Sequence, residues 1–287
     1  MTNKTVTDPE IGRIIDLALA EDRVREDITS GITVPAGLAA RAVLQAKAVG
    51  VAAGLTVFRA VFLTMDPGLT VELKSSDGKT VAPGDMVAVV TGAARSILAA
   101  ERVALNFVCH LSGVATMAAR YVAQVDGLDT VITDTRKTMP GLRRLEKEAV
   151  RMGGGTNHRF NMSDGILIKD NHLAVMRASG LSLGEIVRQA KAHAPVGLAV
   201  QVEVTSLAEA KETTLAGADM LLLDNLTPDE VWEIVRCLGQ SVMLEASGGI
   251  NLENVRRYAE AGVARISIGA LTHSAPALDF SLELSIS

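Results

Sequence analysis

The chain has little cysteine, few aromatic residues and no excess of basic charge, and each shortage excludes a class of protein. Only two cysteines, Cys109 and Cys237, occur in 287 residues, and neither has a CxxC or Cys/His ligand spacing. We therefore expect no disulfide framework and no structural zinc site, and we predict two buried thiols. A net charge of −5 argues against nucleic acid as a partner, because duplex binding needs a basic face.

Signals for export and membrane attachment are also missing. The first residues lack the basic and apolar segments of a signal peptide, and no run of about 18 apolar residues occurs. We therefore expect a cytoplasmic protein without membrane contact. With 48% apolar and 21% charged residues, the chain has enough apolar material for a sizeable core.

The first third of the sequence predicts a small domain of helices and short strands. Asp8 followed by Pro9 is typical of a helix start, and an apolar stripe follows. Segments of strand character at 39–51, 69–74 and 86–90 are separated by turn sequences, which predicts antiparallel pairing. The tail alternates apolar and polar residues from Leu278 to Ser285, so we expect it to form a strand of the N-terminal sheet.

A helical pattern from Ser96 to Val125 carries small and polar residues along one side. These residues are Arg102, Asn106, Cys109, Gly113, Thr116 and Arg120. Small residues at this spacing let another element approach closely, and Arg102 could reach out of its own domain. A solvated helix face explains the same pattern, and the sequence leaves both interpretations open.

After residue 128, short apolar runs alternate with stretches long enough for a helix. Six such runs lie at 130–133, 166–168, 198–204, 220–223, 242–244 and 265–268. This alternation predicts βα units around a parallel sheet. Each run leads into polar residues or glycine, and the active site of a βα barrel lies at the carboxyl ends of its strands. We therefore expect these polar side chains to converge.

The segment from Asp134 to His172 is rich in cations, with eight Lys/Arg against five Asp/Glu. Arginine grips carboxylates and phosphates bidentately, and lysine adds a compact positive charge. Five residues of the segment could together hold a dianionic acid: Arg136, Lys137, His158, Arg159 and Lys169. Ordinary salt bridges with Asp134, Asp164 and Asp170 are the alternative.

Two acidic residues stand at the ends of successive apolar strands, Glu203 in Val-Glu-Val and Asp224 in Leu-Asp-Asn. A buried carboxylate needs a cation or hydrogen-bond donors, and oxygen ligands of this kind suit Mg²⁺ bound together with substrate phosphates. Structural pairing with Lys137 or Lys169 is the alternative.

Glycine follows the last two strands, in Ser247-Gly248-Gly249-Ile250 and in Gly269-Ala270-Leu271. Backbone N–H groups at such positions can bind phosphate, as they do in barrel enzymes. Plain left-handed turns would need the same glycines, so this signal alone does not decide between the two.

In their order along the chain, these motifs resemble the signature of the quinolinate phosphoribosyltransferase family. The resemblance rests on Glu101-Arg-Val-Ala-Leu-Asn106, Asp134-Thr-Arg-Lys-Thr138, Gly153-Gly-Gly-Thr-Asn-His-Arg159, Ile166-Leu-Ile-Lys-Asp-Asn-His172, Val202-Glu-Val204, Leu222-Leu-Asp-Asn225, Leu244-Glu-Ala-Ser-Gly-Gly-Ile250 and Leu271-Thr-His-Ser274. It covers nearly the whole chain. Two stretches depart from the family pattern, Glu26-Asp27 and Asn161-Met162-Ser163, and the second leaves the fine preference for the ring acid open.

The resemblance implies an α/β fold of two domains. An N-terminal α/β sandwich domain at 1–111, joined by the C-terminal strand 275–287, would precede an open six-stranded α/β barrel at 112–274. It also implies a homodimer with shared active sites, in which Arg102 enters the site of the neighbouring subunit. The implied reaction, part of NAD biosynthesis, converts quinolinate and phosphoribosyl pyrophosphate into nicotinate mononucleotide, CO₂ and pyrophosphate, with Mg²⁺ as cofactor.

The roles implied for single residues follow the same motifs. Quinolinate would be bound by Arg102, Thr135, Arg136, Lys137, His158, Arg159 and Lys169. Ribose and phosphate would be bound by Glu203, Asp224, Ser247, Gly248, Gly249, Ile250, Gly269, Ala270 and Leu271. Glu203 and Asp224 would also hold the metal. Catalysis would depend on these two carboxylates and Lys137, because carboxylates stabilise positive charge at the sugar carbon and cations take up charge on departing pyrophosphate.

Other functions fit parts of the pattern. A related transferase could use another ring acid, as a nicotinate-type enzyme or a protein associated with molybdate transport. A Schiff-base aldolase would use Lys137 or Lys169 as its nucleophile, although it would not need several arginines around that lysine. A non-catalytic phosphosugar-binding protein would bind substrate without turnover.

Overall fold

The computed structural model describes residues 8–286 of the chain. Within this range the chain forms two compact units. The first consists of residues 8–119, 138–154 and 271–286, and the second of residues 120–137 and 155–270.

The first unit begins with helix α1 (Pro9–Glu21), which starts where the sequence predicts. The Asp8 side chain caps the helix by accepting a hydrogen bond from the N–H of Glu10 at 2.9 Å, and Pro9 stands in the first turn, where no N–H is needed. The buried face consists of Ile11, Ile15 and Leu19. A short 3₁₀ turn (Val24–Glu26), α2 (Ile28–Thr33) and the apolar α3 (Leu55–Met65) follow.

An antiparallel four-stranded sheet lies at the centre of this unit. Its strands are β1 (Ala39–Ala46), β3 (Thr70–Leu73), β5 (Met86–Ala93) and β12 (Phe280–Ile286), in the order β12-β1-β5-β3, while β2 (Gly50–Val51) and β4 (Thr80–Val81) pair separately. Alternate residues of β1 are buried, as expected for a strand with one face on a core. As its alternating pattern predicts, the tail is a strand of this sheet and pairs with β1 from Ala40↔Ile286 to Ala46↔Phe280.

Helix α4 (Ala94–Gln124) is the longest helix in the described part of the chain. By length and composition alone it could cross a membrane, but 67% of its most apolar 18-residue stretch is buried inside the protein, which is typical of a core helix. A Cβ on Gly113 would lie 2.2 Å from the carbonyl oxygen of Pro276. At this position, therefore, the small and polar side of α4 packs against another segment of the chain.

Helix α5 (Arg143–Met152) belongs to the first unit, whereas the predicted boundaries assign all of 112–154 to the barrel. The reason is close packing against α4. Gly153 ends α5, and a Cβ there would lie 2.2 Å from the carbonyl oxygen of Ala115 and 2.7 Å from the side chain of Ala118. The contacts that place 138–154 are thus made with residues distant in sequence.

Six parallel strands form the sheet of the second unit. They are β6 (Val131–Thr133), β7 (Ile166–Ile168), β8 (Val200–Val204), β9 (Met220–Asp224), β10 (Met243–Ser247) and β11 (Arg265–Ser267), in the order β6-β11-β10-β9-β8-β7. Between β7 and β11 the chain forms helices α6 (Asp170–Ala178), α7 (Leu183–His193), α8 (Leu207–Leu215), α9 (Pro228–Leu238) and α10 (Val255–Glu260), and α11 (Ala270–His273) follows β11. Among the described residues β6 and β7 do not pair with each other, so the barrel is open, as predicted.

Neither cysteine forms a disulfide. Cys109 is half-buried, but Cys237 is exposed, so the prediction of two buried thiols is wrong for Cys237. Helix α9 buries Val231 and Ile234, and Cys237 lies in its last turn, outside that buried face.

Candidate active site

Strand register gathers polar side chains at one end of the sheet in the second unit. Strands β8, β9 and β10 pair so that Glu203 is level with Leu222 and Leu222 is level with Glu245, while Asp224 is level with Ser247. Because side chains alternate between the two faces of a sheet, these residues share one face. That face borders a cavity of about 280 Å³.

Nine candidate residues from the sequence line this cavity. They are Thr135, Arg136, Lys137, His158, Arg159, Lys169, Glu203, Asp224 and Ser247. The cation-rich segment and the two carboxylates, which the sequence places on separate strand ends, therefore meet in one site, as expected for the carboxyl ends of barrel strands.

The Arg159 guanidinium lies in a part of the cavity that disfavours its charge. Burial, followed by the positive charge of Arg136, lowers the pKa of Arg159. Nη1 of Arg159 donates to the carbonyl oxygen of Gly165 at 3.0 Å, while its buried Nε has no hydrogen-bond partner among the described residues. Like charges that are partly removed from water are costly, so this arrangement favours binding of an anion.

A buried carboxylate holds the segment that carries His158. Thr156 extends the edge of β6, since its N–H donates to the carbonyl oxygen of Ile132 at 2.9 Å and its own carbonyl accepts from the N–H of Asp134 at 3.1 Å. The fully buried Asp134 side chain accepts from the N–H of His158 at 2.8 Å and from Nδ2 of Asn157 at 2.6 Å. The Asp-Thr-Arg-Lys and Thr-Asn-His-Arg motifs are thus joined by hydrogen bonds.

Glu203 and Asp224 form a pair of like charges. Burial, followed by the negative charge of Asp224, raises the pKa of Glu203. Lys169 approaches Glu203, with its Nζ 4.0 Å from Oε2, but offsets only part of this shift. The alternative pairing with Lys169 is therefore present without neutralising the site, and a further cation would be favoured here.

The carboxylate pair fits a metal ion only in combination with a ligand. In residues 8–286 no group of three or more His, Cys, Asp or Glu side chains is arranged to hold a metal. Mg²⁺ usually takes one or two protein carboxylates and completes its coordination with water and substrate phosphates. Glu203 and Asp224 match that pattern.

Gly248, directly after β10, has a backbone conformation and a close contact that both require glycine. Gly248 has φ +90°, and a Cβ there would lie 2.2 Å from Oδ1 of Asn225. Asn225 itself has φ +57°, and its N–H donates to the carbonyl oxygen of Ser247 at 2.9 Å. A left-handed turn therefore accounts for Gly248 by itself. The predicted phosphate-binding residues that do not line the cavity are Gly248, Gly249, Ile250, Gly269, Ala270 and Leu271.

Arg102 lies in the first unit, exposed on α4. It lines a cavity of that unit, of about 390 Å³, together with residues that include Asn106, His110 and Met139. The fully buried Glu146 accepts from the N–H of Met139 at 3.0 Å and lies 2.8 Å from Nε2 of His110. His110, to which the sequence assigns no role, therefore pairs with a buried carboxylate.

Family models cover almost the whole chain. Residues 27–112 match the N-terminal domain of quinolinate phosphoribosyl transferase, and residues 114–283 match its C-terminal domain. The chain belongs to the quinolinate phosphoribosyltransferase family.

Individual members of the quinolinate phosphoribosyltransferase family are similar along their full length. The nicotinate-nucleotide pyrophosphorylase (carboxylating) of Mycobacterium leprae is 41% identical over 279 residues, which cover 93% of this chain and 94% of the relative. A probable enzyme of the same name from Bacillus subtilis is 38% identical over 278 residues, covering 97% of this chain and 94% of the relative. The crystal structure of NadC from Streptococcus pyogenes has a TM-score of 0.91 and 41% identity, covering 99% of this chain and 100% of that chain.

For this quinolinate phosphoribosyltransferase homologue, sequence reasoning assigned no role to four residues that line the cavity: Leu167, Leu222, Glu245 and Ser267. Glu245 carries a signal that could have identified it, because it is a charged residue within the apolar strand Met243-Leu244-Glu245-Ala246, as Glu203 is in Val-Glu-Val. The two leucines carry no such signal, since an apolar residue in a strand is the ordinary core pattern.

Proposed function

We propose that the chain catalyses the reaction for which its family is named, the conversion of quinolinate and phosphoribosyl pyrophosphate into nicotinate mononucleotide, CO₂ and pyrophosphate in NAD biosynthesis. The observation that carries this proposal is one cavity that combines the cations Arg136, Arg159 and Lys169 with the carboxylates Glu203 and Asp224. A dianionic ring acid needs the cations, and a ribosyl group that becomes positive needs the carboxylates. Relatives named as carboxylating pyrophosphorylases, at 38% and 41% identity, support it.

The cations bind quinolinate through its two adjacent carboxylates. Arg136, Arg159 and Lys169 supply the charges, with Thr135 and Lys137 beside them. A bound dianion also relieves the repulsion between the two arginines, so the protein favours a dianion over a monoanion. Nicotinate lacks the carboxylate beside the ring nitrogen and would leave a desolvated cation unpaired, at a cost of about 1–3 kcal/mol or more.

The transfer breaks the bond between ribose C1 and the pyrophosphate oxygen as the ring nitrogen bonds to C1. Glu203 and Asp224 stabilise the positive charge that develops at the sugar, and Lys137 takes up charge on the departing pyrophosphate. Orientation of the ring nitrogen against C1 supplies much of the remaining acceleration. The bond from the ring to the adjacent carboxylate then breaks, its electron pair stays on the carbon beside the cationic nitrogen, and a proton from water replaces CO₂.

Glu203 and Asp224 are also the residues that would hold Mg²⁺. When bound, the ion neutralises charge on the pyrophosphate. Phosphate groups are assigned to Ser247 and to the backbone at 248–250 and 269–271.

The proposal includes a cytoplasmic homodimer in which Arg102 of one subunit enters the active site of the other. The exposure of Arg102 on α4 supports a role outside its own unit.

A two-substrate assay of the purified protein tests the function. Quinolinate, phosphoribosyl pyrophosphate and Mg²⁺ should yield equal amounts of CO₂ and nicotinate mononucleotide. Nicotinate in place of quinolinate should react at least about 100-fold less efficiently, because a site built for a charged group rejects the analogue that lacks it. Equal efficiency with nicotinate would favour the nicotinate-type alternative, and no mononucleotide from either acid would contradict the proposal.

A further inference from the structure

Glu245, on β10, is a fully buried carboxylate in the wall of the cavity. Its Oε2 accepts from Nε2 of Gln201 at 3.1 Å, and the Ser267 side chain also hydrogen-bonds to the carboxylate. Oε1 lies 3.3 Å from Nε2 of His158, and no hydrogen bond of good geometry reaches Oε1 from the described residues. Burial acts to raise the pKa of Glu245, but His158, Ser267 and Gln201 together lower it, so the group is ionised near neutral pH.

Both ring nitrogens of His158 face protein groups. Nδ1 accepts the backbone N–H of Arg159 at 2.7 Å, so Nδ1 carries no proton. Nε2 is then the nitrogen that carries a proton, and it faces Oε1 of Glu245. The other tautomer would place a lone pair against a buried carboxylate oxygen. The His158 side chain is only 12% exposed, so solvent cannot easily replace these contacts.

We propose that Glu245 is a positioning residue of the ring-acid site: it fixes the orientation and tautomer of His158, which in turn holds the backbone of Arg159. The proposal rests on the function assigned to the cavity above. Asp134 acts on the same segment from the backbone side, through the N–H of His158 at 2.8 Å. Two buried carboxylates therefore hold the chain immediately before the Arg159 guanidinium.

A purely structural role would not need a charge at position 245. An apolar residue of similar volume avoids the cost of burying a carboxylate. The residue level with Glu245 on β9 is the apolar Leu222. The negative charge of Glu245 also stabilises the charged guanidinium of Arg159, whereas burial and the positive charge of Arg136 lower the pKa of Arg159. Position 245 thus acts on Arg159 both through His158 and through the electrostatic field.

Steady-state kinetics with each substrate varied in turn test the proposal on Glu245→Leu and Glu245→Gln. Leucine leaves the Nε2–H of His158 unpaired, so the KM for quinolinate should rise by about 10-fold or more, while the KM for phosphoribosyl pyrophosphate changes by less than about 3-fold. Glutamine keeps an acceptor oxygen, so the KM for quinolinate in Glu245→Gln should be close to the wild-type value. Equal rises in both KM values, no rise for quinolinate, or a Gln variant as impaired as the Leu variant would overturn the proposal.

Two controls separate positioning from stability. Val202→Ala changes a buried residue of β8 that does not line the cavity, and it should lower Tm without changing the ratio of the two KM values. If Glu245→Leu does not fold, Gln201→Leu removes the donor to Oε2 and should raise the quinolinate KM selectively, though by less; equal changes in both KM values would refute the proposal. Wild-type turnover of quinolinate is measured first, so failure of the proposed function is recognised separately.

The tautomer of His158 gives a readout independent of activity. The chain contains five histidines, so long-range ¹H–¹⁵N spectra of histidine-labelled protein can be assigned with a His158→Asn variant. Wild-type His158 should carry its proton on Nε2, and this signature should weaken in Glu245→Leu. A proton on Nδ1 in the wild type would overturn the assignment.

Discussion

Replacing Arg159 by methionine should reduce activity without reducing stability. Burial and the positive charge of Arg136 lower the pKa of Arg159. The negative charges of Asp164 and Glu245 act in the opposite direction but offset only part of that shift. A lowered pKa means that the folded protein accommodates the charged form less well than water does. Methionine is similar in length and uncharged, so it removes this unfavourable interaction and loses one hydrogen bond, from Nη1 to the carbonyl oxygen of Gly165 at 3.0 Å.

The two contributions to stability are of similar size and opposite sign. One hydrogen bond contributes about 0.5–1.5 kcal/mol, and more when a charged group takes part. Relief of repulsion between partly buried cations is of the same order. We therefore expect a change in Tm of no more than about 3 °C. Loss of a charge-assisted bond to quinolinate costs about 1.5–3 kcal/mol, which lowers kcat/KM by about 10-fold to 150-fold.

The assay compares kcat/KM for quinolinate and thermal unfolding in wild type, Arg159→Met and Arg188→Met. Arg188 is the matched control, because it is an exposed arginine on α7 of the same unit. Quinolinate at a fixed concentration should raise the Tm of wild type and control by more than that of Arg159→Met, because the stabilisation grows with the ratio of ligand concentration to Kd. A loss of kcat/KM below about 3-fold, or a fall in Tm of about 10 °C that explains the lost activity, would refute the reasoning.

Three further predictions concern the metal, the carboxylate pair and the dimer. Excess EDTA should abolish activity and Mg²⁺ or Mn²⁺ should restore it, because the proposed ligands are oxygens; full turnover in EDTA would contradict the metal assignment. In the metal-free protein the Glu203 carboxyl should titrate above the usual range of a glutamate, and Asp224→Asn should lower this pKa, because burial and the charge of Asp224 both raise it; an unchanged NMR titration of Glu203 in the variant would contradict the proposed pair of like charges. Mixed dimers of Arg102→Ala and Arg136→Ala subunits should regain about half of the sites of a normal dimer, since one site carries both defects and the other neither; inactive mixed dimers after subunit exchange would contradict a shared site.

Short sequence patterns predict much of this site, because the residue types along a short segment indicate where a strand ends. An apolar run with a single charged residue, as in Val-Glu-Val, marks both a strand and a side chain that must face a partner. A parallel sheet then brings such ends together without further information, which is why Arg136, Lys169, Glu203 and Asp224 meet as expected.

Short sequence patterns do not predict contacts between residues that are far apart in the chain. The hydrogen bond between Gln201 and Glu245 depends on the register of three neighbouring strands, β8, β9 and β10. The packing of Gly153 on Ala115 likewise helps to place 138–154 in the first unit. The position of Cys237 within its helix depends on which face the rest of the unit covers, a tertiary property that overrides the apolar residues around it in sequence.

The directions of the pKa shifts show that Glu203 and Arg159 are each only partly compensated by the opposite charges of the cavity. Had Lys169 and Arg159 formed close pairs with Glu203 and Asp224, the pKa of the acid would fall and that of the base would rise. The opposite holds: the pKa of Glu203 is raised, that of Arg159 is lowered, and Lys169 stays 4.0 Å from Glu203. The fold therefore leaves Arg159 and Glu203 only partly compensated, at a cost in stability that a dianionic acid would relieve for Arg159 and a positively charged partner would relieve for Glu203. In the proposed reaction quinolinate is the dianionic acid, and the ribosyl group together with Mg²⁺ is the positively charged partner.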